Sequence, residues 1–232
     1  MTELTVFSTI GVRSAAEGLF QNYEKSSGVK LSLTWGTAPM LVKRLEAGET
    51  ADVLVLSRAG IEALKQQGKV VPGSEVALAS SGVAIAVKQG APKPDISTPE
   101  AFKETLLACK SIACSEPSAG GASGVYFAKL IERMGIAEQL KPKIKYPPPG
   151  GFCAALLMTG EAELALQQKP ELLHIEGSEI VGMLPGDLNL ITEFVAGIMP
   201  VSKNVDAAKA LIEMLQSPAA KAVFQAKGLE PA

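Results

Sequence analysis

Short apolar segments that alternate with amphipathic helical segments constrain the fold of this chain more than any other feature of its sequence. Near the N-terminus, residues 4–7, 29–35 and 52–56 have the length and composition of buried β-strands. Each is followed by a turn and then by a segment whose apolar residues have helical spacing. Strands that alternate with helices form mainly parallel sheets covered on both faces, and ligands bind at the carboxyl ends of the strands. We therefore predict an α/β fold whose functional loops follow the strands.

Two longer apolar segments, residues 75–87 and 191–199, indicate that the chain is divided into two parts. The first is interpreted as a strand that crosses from one lobe to another, and the second as the return crossing. The sequence thus predicts two lobes with a ligand cleft between them, each lobe a mainly parallel sheet flanked by helices. Lobe 1 is expected to comprise residues 1–79 plus 196–232, and lobe 2 residues 80–195.

The turn at residues 115–124 consists mostly of small residues and joins a predicted strand to a predicted helix. Small side chains allow a ligand to approach main-chain N–H groups, and the positive end of the helix dipole favours an anion. Glycine and serine also form ordinary turns, so the composition of this turn alone favours the two interpretations equally.

The composition excludes several classes of protein. The chain has 232 residues, 47% of them hydrophobic, and a formal net charge of -2, which is typical of a folded protein. Its Lys and Arg residues are scattered, so no nucleic-acid partner is expected, and no apolar run has the length of a membrane span. The cysteines Cys109, Cys114 and Cys153 lack the spacing of metal ligands and are predicted to be buried free thiols.

The beginning of the sequence bears on location in the cell. Met1 is followed almost directly by the first predicted strand, without the basic and apolar segments of a signal peptide. We expect a cytoplasmic protein if Met1 is the native start, and a periplasmic protein if a leader was removed.

Several motifs resemble those of a known family. They lie at residues 6–9, 45–55, 116–121, 158–164 and 228–231. The chain resembles the type II periplasmic solute-binding proteins, and within them the molybdate-binding branch, which also resembles aconitate isomerase; the likeness runs essentially end to end. It implies the two-lobed periplasmic-binding-protein type II fold and a small anion held by hydroxyls and main-chain amides, without a cofactor or a metal. It also implies an ABC permease as partner if the protein is exported, and we expect a monomer.

The resemblance places ligand-binding residues in four loops. Carried onto this sequence, they are Ser8, Thr9, Thr37, Ala38, Ser118, Ala119, Gly120, Gly151 and Phe152. The chain has Ile10-Gly11 and Thr37-Ala38 where the molybdate-binding branch usually has serine pairs. A carboxylate is therefore an alternative to molybdate as the ligand.

Three further side chains are candidates for ligand contact because they lie near predicted strand ends. Arg13 and Arg58 could each bind a carboxylate through two parallel hydrogen bonds, although both could equally be solvated surface arginines. Gln167 follows a strand and is predicted to be a neutral donor.

Two functions from different classes fit these features. We favour a solute-binding protein that captures a small anion, either an oxyanion such as molybdate or a carboxylate, for ABC-type uptake. The alternative is a cofactor-free isomerase of an unsaturated tricarboxylate, similar to aconitate isomerase, with Glu116 as the candidate catalytic base. His174 is assigned a structural role, since no Ser or Cys partner is placed to make it a base.

Overall fold

The structure is a computed structural model that describes residues 2–119 and 121–232. The chain forms two compact units, Met1–Ser80 with Thr192–Ala232 and Ser81–Ile191. The chain thus leaves the first unit after Ser80 and returns to it at Thr192. The lobe boundaries predicted from the sequence lie at 79/80 and 195/196.

The secondary structure alternates along the chain. The strands are β1 (Glu3–Thr9), β2 (Lys30–Gly36), β3 (Val53–Ser57), β4 (Val76–Lys88), β5 (Ile112–Cys114), β6 (Ile144–Lys145), β7 (Leu164–Gln168), β8 (Ser178–Met183), β9 (Ile191–Ile198) and β10 (Glu230–Pro231). The helices are α1 (Arg13–Ser27), α2 (Ala38–Glu46), α3 (Arg58–Gln66), α4 (Pro99–Ala108), α5 (Ala122–Arg133), α6 (Ala137–Leu140), α7 (Ala155–Met158), α8 (Lys169–Leu173), α9 (Val205–Gln216) and α10 (Pro218–Ala226). Among the described helices, none combines the length and apolarity that crossing a membrane requires.

In the first unit, β1 is the central strand of a parallel group. It pairs in parallel with β2, where Ser8 lies opposite Trp35, and with β3, where Val6 lies opposite Val53. The long strand β9 pairs antiparallel with β3 on the other side. The predicted parallel arrangement is confirmed, and the antiparallel pairs in this unit involve the two long strands β4 and β9.

Both faces of this sheet are covered, which explains why its strands read as continuous apolar runs. Successive strand residues point to opposite faces. Val6 and Val55 pack in a cluster with Phe20 of α1, whereas Phe7 and Leu54 belong to a second cluster on the other face. Helices from both sides therefore fix the positions of the loops at the strand ends.

Asp52 fastens the start of β3 to its neighbours. Its carboxylate accepts a hydrogen bond from the main-chain N–H of Thr5 at 2.8 Å and one from the hydroxyl of Ser202 at 2.5 Å. Its carbonyl oxygen accepts from the N–H of Met199 at 3.1 Å. A single residue thus ties together β1, β3 and the segment after β9, which gives the parallel group a local anchor at its amino end.

In the second unit, β5 lies between β6 and β7 and is parallel to both. Strand β4 pairs antiparallel with β7 and with β8. One face of the sheet carries Ile112 and Leu166 and packs under α5, in a cluster that includes Phe127. The other face carries the small residues Ala113 and Ala165. Because alanine is short, the chain around Cys153 packs directly against this face.

The turn that contains Phe152 leads into the short helix α7, which begins only at Ala155. The N–H of Cys153 donates to the side chain of Gln167 at 2.8 Å, which holds the preceding residues in a turn. The short helices α6 and α8 are not predicted from the sequence. Their four and five residues are too few to show a periodic apolar pattern.

We expect Gly18→Ala to stabilise the protein. Gly18 is exposed within α1, and a Cβ added there would meet no heavy atom within 4 Å. Alanine restricts the unfolded chain and favours the helix, so the free energy of unfolding should rise by about 0.5–1 kcal/mol, as measured by urea denaturation. Gly124→Ala is the contrasting variant, since its Cβ would overlap the main-chain oxygen of Ser115. Equal stability of the two variants would contradict this account.

Candidate functional site

The first unit gathers polar residues at one edge of its sheet. Strands β1, β2 and β3 are parallel, so their carboxyl ends lie on the same side, and a helix follows each of them. Ser8, Thr9 and Thr37 are buried there with 1%, 7% and 9% of their surface exposed. Ala38 begins α2 close to Gly60 of α3, since a Cβ on Gly60 would lie 3.7 Å from that of Ala38.

The hydroxyls at this edge cap the helices or turns that begin directly after them. Thr9 Oγ1 accepts from the N–H of Gly11 at 3.4 Å, and Thr37 Oγ1 accepts from that of Met40 at 3.4 Å. Ser57, at the end of β3, accepts from Gly60 at 3.3 Å in the same way. A hydroxyl can accept and donate at the same time, so capping is compatible with donation to an anion. Ser57 is absent from the sequence-based site; its place between a strand and a helix is the signal that could have found it.

Arg13 is the first residue of α1 and lies at the same edge. Its guanidinium carbon is 5.6 Å from the centre of the Trp35 ring, and Trp35 is the strand neighbour of Ser8. One terminal nitrogen contacts Glu17 at 3.5 Å, while Nε is buried and has no hydrogen-bond partner among the described residues. A buried N–H without an acceptor is costly, and a carboxylate ligand would satisfy it.

Arg58 has a different environment. Its Nε and Nη2 donate to the two carboxylate oxygens of Glu193 at 2.5 and 2.6 Å, in the bidentate arrangement expected for a carboxylate ligand. This hydrogen-bonded pairing raises the pKa of Arg58 and lowers that of Glu193. A protein carboxylate thus occupies the guanidinium, and ligand contact by Arg58 stays a prediction that requires this pair to open.

In the second unit, the loop after β5 leads into α5. Its residues Pro117–Ala119 form a 3-10 turn, in which Ser118 is exposed and Ala119 half-buried. Gly120, also a predicted ligand-binding residue, lies outside the described residues. The N-cap of α5, Gly121, has no side chain to satisfy the first N–H groups of the helix. Such N–H groups can bind an anion.

The second loop of this unit contains Gly151 and Phe152, both half-buried. The N–H of Gly151 donates to the carbonyl of Pro148 at 2.8 Å, which closes a tight turn. The ring of Phe152 packs on that of His174, with 4.4 Å between the ring centres. This ring contact is a structural role for His174, and it places His174 next to Phe152, a predicted ligand-binding residue.

Gln167 joins these two loops. It is 1% exposed, and its Oε1 accepts from the N–H of Cys153 at 2.8 Å. Its Nε2 donates to the carbonyl of Gly151 at 3.3 Å and to the hydroxyl of Ser115 at 3.4 Å. Direct donation from Gln167 to a ligand stays a prediction, and these contacts already engage both of its N–H donors.

Glu116, the candidate base, is exposed in the loop after β5. Tyr146 follows the neighbouring strand β6. Partial burial raises the pKa of the Tyr146 phenol, and electrostatic interaction with Cys114 and Glu116 raises it further. Glu116 and Tyr146 thus both follow strands at the carboxyl edge of this sheet, because β5 and β6 are parallel neighbours.

A buried carboxyl group, Glu171, is absent from the sequence-based site. It is 6% exposed, and burial raises its pKa to about 7. The hydrogen bond from the N–H of Gln168 partly opposes this rise, because it favours the charged carboxylate. The sequence Gln168-Lys169-Pro170-Glu171 indicates the start of a helix here. Pro is common in the first helical turn, and Glu at the third helical position is typical of a capping box. The sequence cannot reveal that the carboxyl is buried, since burial depends on the packing of α8.

The cysteines offer no reactive thiol. Burial raises the pKa of Cys114 to about 12 and that of Cys153 well above its usual value, so both remain protonated near neutral pH. Cys109, Cys114 and Cys153 are all buried and free, as predicted. Within residues 2–119 and 121–232, no group of three His, Cys, Asp or Glu side chains could hold a metal ion.

We expect Glu171→Gln to change how stability depends on pH. A carboxyl whose pKa is raised in the folded state from 4.5 to about 7 stabilises that state below pH 4.5 and loses this contribution as the pH rises through about 7. The stability of the natural protein relative to Glu171→Gln should therefore fall between pH 5 and 8, by up to about 3 kcal/mol, as measured by urea denaturation across that range. The exposed Glu176→Gln is the control and should show no such trend. A constant difference between Glu171→Gln and the natural protein would contradict the prediction.

Comparisons with known proteins agree with this architecture. Residues 4–230 match the family described as bacterial extracellular solute-binding protein. Aconitate isomerase from Pseudomonas sp is 36% identical over 239 residues, covering 100% of this chain and 88% of the relative. The molybdate-binding protein ModA of Escherichia coli is 22% identical, covering 97% and 88% of the two chains. The resemblance to the molybdate-binding branch and to aconitate isomerase is thus confirmed.

Solved structures give the same fold. The periplasmic molybdate-binding protein of Azotobacter vinelandii superimposes with a TM-score of 0.76 and 18% identity, covering 97% of this chain and 98% of that protein. This similarity confirms the two-lobed periplasmic-binding-protein type II fold. The family match extends over nearly the entire sequence. The chain therefore belongs to the bacterial extracellular solute-binding protein family.

Proposed function

We propose that this protein captures a small carboxylate anion and delivers it to an ABC importer. The observation that carries the proposal is the guanidinium of Arg13, whose buried Nε has no partner among the described residues and which lies over Trp35, the strand neighbour of Ser8. A carboxylate would accept from this guanidinium and from the neighbouring hydroxyls.

The charge of Arg13 favours a carboxylate over molybdate. A compact tetrahedral oxyanion is well bound by neutral hydroxyls and amides, whereas a planar carboxylate matches the planar guanidinium. Ile10-Gly11 and Thr37-Ala38 also leave fewer hydroxyls than the serine pairs of the molybdate-binding branch. The residues we propose as donors are Ser8, Thr9, Thr37 and Ala38 in the first unit and Ser118, Ala119, Gly120, Gly151 and Phe152 in the second.

The family to which the chain belongs supports the delivery role. A solute-binding protein of this kind passes its ligand to an ABC permease, and we propose such a permease as the partner. The uptake role would place the protein in the periplasm.

A second candidate function is isomerisation of an unsaturated tricarboxylate. The 36% identity to aconitate isomerase over the whole chain favours it, as does the placement of Glu116 and Tyr146 after the neighbouring parallel strands β5 and β6. In this reaction a base removes a proton from the methylene carbon beside the double bond. The double bond shifts by one position, and a proton is delivered to the former vinylic carbon at the far end of the original double bond, which becomes the new methylene carbon. Glu116 is the base we propose for this alternative.

We expect trans-aconitate, cis-aconitate or citrate to bind more tightly than molybdate or sulfate in isothermal titration. Replacing Arg13 by Gln should weaken carboxylate binding about 10-fold to 100-fold, because a hydrogen bond to a charged group contributes ~1.5–3 kcal/mol. Arg44→Gln is the matched control and should have little effect, since Arg44 is not a candidate ligand residue and its guanidinium is bound by Glu49. Tight binding of molybdate alone, unaffected by Arg13→Gln, would refute the carboxylate proposal.

Isomerase activity can be tested separately by proton NMR of trans-aconitate incubated with the protein in D₂O. An isomerase would form cis-aconitate and incorporate deuterium, and Glu116→Gln should reduce turnover at least about 100-fold if Glu116 is the base. Binding of aconitate without any conversion would favour the transport role. Conversion that Glu116→Gln leaves intact would exclude Glu116 as the base.

A further inference from the structure

The side chain of Gln167 is part of a closed ring of polar contacts in the second unit. Its Oε1 accepts from the N–H of Cys153 at 2.8 Å, and its Nε2 donates to the hydroxyl of Ser115 at 3.4 Å. The hydroxyl of Ser115 lies 3.8 Å from the thiol of Cys153, which completes the ring. The loop after β5 and the turn before α7 are thus connected through one residue of β7.

The hydrogen-bonding capacity of Gln167 explains why it acts on the loops. A carboxamide has two N–H donors, and an anionic ligand needs donors. Both are engaged here, one by the carbonyl of Gly151 at 3.3 Å and the other by Ser115. Gln167 could donate to an anion only by releasing one of the two loops.

The same contacts determine which main-chain groups of the turn can face a ligand. The N–H of Gly151 is bound by the carbonyl of Pro148, and the N–H of Cys153 by Gln167. The intervening residue, Phe152, is the one whose N–H these contacts leave unengaged, and its ring is packed on His174. These hydrogen bonds hold the turn, and Gln167 makes two of them, to the N–H of Cys153 and the carbonyl of Gly151.

We propose that Gln167 is a positioning residue that sets affinity and selectivity for the anion by holding the loops of Ser115 and Phe152 in register, without touching the ligand. This inference rests on the proposed function, because it concerns the donor set of the same site. It reassigns Gln167 from a ligand-binding residue to the support of two ligand-binding loops.

The test compares natural protein, Gln167→Met and Gln139→Met by isothermal titration with trans-aconitate, cis-aconitate and molybdate. Methionine is similar in length but lacks the donors and acceptor, so Gln167→Met should weaken binding by about tenfold or more, since each lost hydrogen bond costs about fivefold. Gln139 is exposed on α6, and its variant should bind as the natural protein does. Unchanged affinity of folded Gln167→Met would overturn the proposal.

Hydrogen exchange and a double-mutant cycle distinguish positioning from direct contact. Positioning predicts faster exchange of the Cys153 amide in ligand-free Gln167→Met, and losses from Ser115→Ala and Gln167→Met that are not additive, because both break the same ring. Additive losses of affinity, together with unchanged exchange of the Cys153 amide, would instead indicate that Gln167 contacts the ligand directly. If Gln167→Met fails to fold, Ser115→Ala alone provides the exchange and affinity measurements. If the natural protein binds none of the three probes, the proposed function fails, and the exchange of Cys153 still decides whether Gln167 holds the turn.

Discussion

Parallel pairing of short, fully buried strands is the constraint on which the rest of this structure depends. Because β1 is parallel to β2 and β3, and β5 is parallel to β6 and β7, the chain must cross back over the sheet between each pair. Several of these crossings begin at the same edge, where loops and the first turns of helices collect. The polar residues of both units lie at these edges for this reason.

The two units use their edges differently. In the first, hydroxyls at the strand ends cap the next helix or turn, and Arg13 adds a positive charge held by Trp35. In the second, the candidate donors are mostly main-chain groups, and Gln167 hydrogen-bonds to the turn that contains Gly151 and Cys153. The positive charge of Arg13 favours an anion at the edge of the first unit, and a guanidinium matches the planar carboxylate group.

Most of the elements that carry the candidate site could be predicted from the sequence. The strand-to-helix turns after β1, β2 and β5 follow from apolar patterning, and the family resemblance extended this to residues such as Ser8, Thr37 and Ser118. The prediction was weakest for side chains whose role depends on a partner distant in sequence. Arg58 pairs with Glu193, 135 residues away, and Gln167 reaches Ser115, 52 residues away. No local pattern encodes such contacts.

The sequence alone established most of the order of strands and helices, the parallel pairing of the short strands within each unit and the small residues at the loops, because these depend on local spacing and on the period of apolar residues. Tertiary packing then selected which polar groups remain available. It paired Arg58 with a carboxylate, left Nε of Arg13 buried without a partner among the described residues, and raised the pKa of Glu171 to about 7 by burial. The physical reason is that desolvation and hydrogen-bond partners depend on neighbours in space, and only packing brings those neighbours together.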